Sequence, residues 1–131
     1  MAYRIKYFAP AVLYAILILL LSSMDQNTAH RYAADIEDYI LHFVEYNLFG
    51  VTLTWAFFRE KPMTELRYSY RLAVGVGTLA AMADEFYQSF IPSRYSTIED
   101  VVADVFGLIL SIITFTLVMK IPVLERFRTS A

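Results

Sequence analysis

A chain of 131 residues that is 58% hydrophobic and 16% aromatic is too apolar for an ordinary soluble domain of its size. It has no cysteine, which excludes a disulfide framework and any thiolate metal site. Its net charge of -2 gives no sign of a nucleic-acid partner, and the distribution of charge along the chain is more informative than the total.

The composition predicts one all-α membrane domain covering residues 1–131, a bundle of four transmembrane helices. Four apolar runs, at about residues 7–23, 39–58, 68–90 and 101–119, are each long enough to cross roughly 30 Å of hydrocarbon, which takes about 17–25 helical residues. Arg4 and Lys6 precede the first run, and no clear A-x-A site follows it, so it reads as a retained anchor and not a cleaved signal. The second run carries Asp38, His42, Glu45 and Tyr46 at i, i+4, i+7 and i+8, one stripe on a helix.

The third run has a ridge of small residues, Ala73, Gly77 and Ala81, and then an acidic pair, Asp84 and Glu85, with Gln88 on the same side. Acids near a helix C-terminus are disfavoured by the macrodipole, so this pair needs a reason. Pro92 ends the helix and can turn the chain so that Arg94 folds back over Glu85 and Gln88, which are expected to act with it as one unit. Ser96 with Glu99 has the form of a capping box at the start of the fourth helix. That helix presents Asp100, Asp104, Gly107 and Ser111 as a stripe whose small residues would let a neighbour approach closely.

Nine of the eleven basic residues precede the first run, lie between or at the ends of the second and third, or follow the fourth; only Arg31 and Arg94 lie in the other two loops. Positive charge collects on the cytoplasmic side, so both termini are expected there. At a rise of about 1.5 Å per residue, Asp84 lies about 24 Å from the inner surface, and His42 and Glu45 lie about 5 and 9 Å below the outer one. Three helices thus bring polar groups to one level near the outer face.

The combination Asp84-Glu85-x-x-Gln88, Pro92-x-Arg94 and Asp100-Val101 leading to Gly107, with Asp38, His42 and Tyr46, resembles the VanZ-like family of bacterial membrane proteins. That family is named for an accessory protein that lowers sensitivity to teicoplanin. The resemblance implies a multi-pass protein of the bacterial plasma membrane, and it implies a location more firmly than a reaction. This chain has Pro92-Ser93-Arg94 where the family often has Pro-Gly-Arg, and Asp104 where it often has Asn.

The candidate ligand-binding residues are therefore Asp38, His42, Glu45, Tyr46, Asp84, Glu85, Gln88, Arg94, Asp100 and Asp104. Three uses are open. The cluster could recognise the headgroup of a lipid-linked envelope precursor, a glycan or a lipoglycopeptide, with Arg94 gripping an anionic group. It could be catalytic, with His42 or Glu45 as general base and Asp84 or Glu85 as acid, although no residue stands out as a nucleophile. It could relay protons in a small transporter. A purely structural network is the bland alternative. No metal ligands are assigned; a hard divalent cation such as Mg²⁺ is the cofactor the carboxylates could hold. Expected partners are membrane lipids, and an envelope precursor or glycopeptide.

Overall fold

The computed structural model describes residues 6–24, 28, 37–60, 66–92, 94 and 96–121. Among them are four α-helices and no strand. A short 3₁₀ turn, Lys6–Phe8, leads into α1 (Ala9–Ser22), followed by α2 (Asp38–Glu60), α3 (Leu66–Gln88) and α4 (Ile98–Val118). The predicted runs and the observed helices agree closely. The loop residues His30, Arg31 and Lys61 and the C-terminal basic residues lie outside the described part of the chain.

Local chemistry sets the helix ends. Pro10 sits in the first turn of α1, where its missing N–H costs nothing. Asp38 stands in the first turn of α2 and Arg59 in its last, each complementary to the dipole there. After Gln88 the chain leaves α3 through a turn in which Ile91 N–H donates to Gln88 O at 2.9 Å and Arg94 N–H to Ile91 O at 3.2 Å. The cap of α4 lies one residue later than the sequence suggested. Thr97, in extended backbone conformation, accepts the Asp100 N–H at 3.3 Å and donates its hydroxyl to Asp100 Oδ2 at 2.8 Å. The pair is Thr97–Asp100 in place of Ser96–Glu99, because an N-cap oxygen must reach the amide of the third helical residue.

α2 packs most extensively on α4, and α1 lies against α2 and α3. The close α2–α4 approach uses the predicted small residues. A Cβ at Gly107 would stand 3.0 Å from Asn47 N and overlap the Phe43 carbonyl, while one at Gly50 would stand 2.7 Å from Ser111 Cβ. Asn47 fastens the seam by donating to Gly107 O at 3.2 Å and to Thr114 Oγ1 at 3.2 Å. On α3, Ala73, Gly77 and Ala81 are all buried, as a small-residue ridge should be. The apolar core joins Ala11 and Ile18 of α1 to Tyr46, Phe49 and Leu53 of α2 and Leu108 of α4.

Large apolar side chains also point outward on every helix, among them Leu13, Val44, Leu79, Phe86, Phe106 and Ile113. Among the described helices, α4 alone is both long and apolar enough to cross a membrane by composition, and α1 is apolar but shorter. α2 and α3 have sufficient length, but both carry acids and bases within their bounds.

Candidate functional site

Among the described residues, the buried acids and the buried histidine collect at one end of the bundle, where α1 and α3 finish and α2 and α4 begin. They are His42, Asp84, Glu85, Asp100 and Asp104, none more than 5% exposed. Gln88 and Tyr46 are equally deep, Glu45 and Arg94 are half-buried, and Asp38 lies at the rim.

The helical twist divides the acidic pair. Successive residues of an α-helix point about 100° apart, so Asp84 and Glu85 face different neighbours. Asp84 turns toward α1. Its Oδ2 accepts from Ser22 Oγ at 2.9 Å and from Gln88 Nε2 at 2.9 Å. Gln88 in turn accepts from Arg94 Nε at 2.8 Å, and Arg94 Nη1 donates to the Met24 carbonyl at 3.4 Å. Arg94 Nη2 stands 4.0 Å from Asp38 Oδ1 at the rim. The guanidinium therefore folds back over α3 as the sequence suggested, but its fork is occupied by the protein itself.

Glu85 turns toward α2 and α4. His42 Nδ1 lies 3.1 Å from Asp104 Oδ1; facing a carboxylate, Nδ1 is the nitrogen that donates. The opposite ring nitrogen, Nε2, stands 3.8 Å from Glu85 Oε1, beyond hydrogen-bond range. Asp100 completes this group, with one oxygen engaged by Thr97. The expected unit of Glu85, Gln88 and Arg94 is thus not the unit that forms. Gln88 and Arg94 belong with Asp84, and Glu85 belongs with His42.

The two groups differ in how far their polar atoms are satisfied. Buried without a hydrogen-bond partner are His42 Nε2, both oxygens of Glu85 and Oδ2 of Asp104. On the other side the corresponding atom is Asp84 Oδ1, and Glu45 Oε1, which feels charges of both groups, is also without a partner. Leaving such groups unpaired costs roughly 1–3 kcal/mol each. The spare capacity consists almost wholly of acceptors, which call for a donor-rich or cationic ligand.

Two apolar recesses flank the site. A groove of about 730 Å³ runs between α2 and α4, lined by Tyr39, Ile40, Phe43, Val102, Phe106 and neighbouring residues. A smaller one of about 220 Å³ lies between α1, α2 and α3, with Asp84 and Tyr46 as its polar members.

Every predicted site residue reaches this end of the bundle, but Ser22 was not foreseen, because the first run showed only general hydropathy. The sole signal was a Ser22-Ser23 pair closing an apolar stretch. Ser23 is also engaged, its hydroxyl 3.0 Å from that of Tyr87. A profile of the VanZ/LLP1 family matches residues 8–119. No curated protein and no solved structure matches the chain.

Proposed function

Starting from the fact that the chain belongs to the VanZ/LLP1 family, we propose that it is a four-span protein of the bacterial plasma membrane with both termini cytoplasmic. Its single domain holds the polar headgroup of an envelope lipid, a glycan or a lipoglycopeptide at the outer face, and so alters sensitivity to teicoplanin. The observation that carries this reading is the set of buried acceptors with no internal donor on Glu45, Asp84, Glu85 and Asp104. Sugar hydroxyls and amines supply such donors, whereas a bare phosphate does not.

That chemistry refines the role of Arg94, which braces the pocket through Gln88 and Met24. The apolar groove between α2 and α4 gives a lipid-linked ligand somewhere to lay its chain beside the polar end. Outward-facing Leu, Ile, Val and Phe on all four helices favour the full four-span arrangement over a single span.

One observation favours a second reading, a membrane hydrolase or group-transfer enzyme. Asp104 holds His42 through Nδ1 and leaves Nε2 unengaged, the arrangement a general base requires. Proton-coupled transport has less support, since among the described residues the buried acids and histidine lie at one end and a relay needs others further along.

The test is the teicoplanin sensitivity of a susceptible bacterium expressing the chain. Glu85→Gln should abolish the change in sensitivity while the protein reaches the membrane at normal abundance and melts at the wild-type temperature. If loss of the phenotype always follows loss of folded protein, the cluster is structural and the reading fails.

A further inference from the structure

We propose that His42, Glu85 and Asp100 form a binding site for a divalent transition-metal ion of the zinc type, with Asp104 as the residue that orients His42. One donor atom from each of the three lies within 4.8 Å of the other two, and all three residues are buried. They come from three different helices, α2, α3 and α4. The site therefore exists only in the folded bundle.

His42 pairs ionically with Glu85 when its ring is protonated and offers Nε2 to a metal cation when the ring is neutral. Its Nδ1 is committed to Asp104 at 3.1 Å, so in the neutral ring Nε2 carries a lone pair. That lone pair is buried, has no hydrogen-bond partner, and faces a carboxylate oxygen 3.8 Å away. Two acceptors opposed in a dry site repel each other. The separation is too long for a hydrogen bond, but near the span of two ligands that each bind one metal at about 2.0–2.2 Å.

The surroundings fit the same ligand. A metal-bound histidine usually gives its other N–H to a carboxylate, which fixes the ring and makes it a better donor. Asp104 does this, and its own Oδ2 remains without a partner. Asp100 is held on one side by the Thr97 hydroxyl at 2.8 Å, which restrains the carboxylate. Among the described residues no Arg or Lys forms an ion pair with this group, and Arg94 is engaged on the Asp84 side.

Donor type selects the ion. One imidazole and two carboxylates suit zinc and its transition-metal neighbours, while Mg²⁺ and Ca²⁺ take sets made of oxygen alone. Mg²⁺, the expectation from the carboxylates alone, is therefore displaced by the histidine. Three protein ligands leave a fourth position open to water or to a ligand oxygen, as in catalytic zinc sites. The site does not depend on headgroup recognition, and the metal alone probes it.

The experiment is a calorimetric titration of Zn²⁺ into the full chain in detergent micelles after treatment with a chelator, with Mg²⁺ as the comparison. One Zn²⁺ per chain is expected, with much weaker binding of Mg²⁺. Asp104→Asn should weaken Zn²⁺ binding by roughly 10- to 100-fold, the usual effect of losing an orienting partner, and Glu85→Gln and His42→Gln by more. Glu99→Gln, an exposed acid in the same turn, should leave it unchanged.

If the variants do not fold, X-ray absorption on the wild-type zinc complex decides, with a shell of one imidazole nitrogen and carboxylate oxygens at about 2.0–2.2 Å expected. Absence of stoichiometric binding, equal binding by Glu85→Gln and wild type, or a shell without imidazole each overturns the site.

Discussion

Asp84 and Glu85 are adjacent in the chain and equally buried, yet they sit in opposite kinds of surroundings. Around Asp84 the protein supplies its own donors: Ser22 from α1, Gln88 one turn along α3, and Arg94 behind Gln88. Around Glu85 the hydroxyl of exposed Ser96 approaches, but neither carboxylate oxygen has a close hydrogen-bond partner, and His42 presents a nitrogen that also has none. The closed side ties α1 and the α3–α4 turn to α3, so it carries the structural role of the cluster. The open side keeps spare ligand atoms, and the proposed binding role rests on it. A buried carboxylate is thus diagnosed by its partners and not by its depth.

Substitutions can break that contrast. The largest effect should come from Gln88→Leu, which removes a donor from Asp84 and an acceptor from Arg94 together. With one hydrogen bond lost at Asp84 and one at Arg94, each costing roughly 1–3 kcal/mol, a loss of about 2–6 kcal/mol is expected from equilibrium unfolding in micelles. Glu85→Gln keeps an acceptor oxygen for Ser96 and removes a desolvated charge, so its stability should stay within about 1 kcal/mol of wild type. Equal destabilisation by the two would erase the distinction between the sides.

Arg94→Lys comes next. It keeps the charge but loses the planar fork that serves Gln88 and Met24 at once, so about 1–2 kcal/mol should be lost. Any fall in teicoplanin phenotype should then parallel the fall in folded protein. A phenotype lost at full stability would move Arg94 to the binding side.

Ser22→Ala should cost about 1 kcal/mol, a typical net value for one hydrogen bond. Because Ser22 is the link from α1 to Asp84, the variant should also speed amide exchange in the last turn of α1 while leaving α4 unchanged. Uniform acceleration in both helices would mean that the two sides form one network.

Cysteine labelling should have the least effect on the protein and locates the contrast in the membrane. Single cysteines replacing Ala29 or Ser93 should react with an impermeant reagent in intact cells, and one replacing Pro62 should not. The reverse pattern would turn the polar end toward the cytoplasm and remove the headgroup reading.

The sequence by itself determined the four helices, since their apolar runs, Pro92 and the acids at the start of the fourth are local signals. It also determined the small-residue faces at Gly77 and Gly107, because a period of 3.6 assigns residues to a face without knowledge of the partner. The common level of His42, Asp84 and Asp104 followed from helical rise alone. Tertiary structure decided which acid meets which donor. Periodicity places Glu85 and Gln88 on one face, but the rotation of α3 against α1, α2 and α4 sends Gln88 to Asp84 and Arg94, and Glu85 to His42. That rotation is set by close packing at Gly50, Gly77 and Gly107, where atoms far apart in the chain come into contact. The entry of Ser22 into the cluster has the same origin: a hydroxyl 62 residues from Asp84 becomes its partner only when α1 is docked.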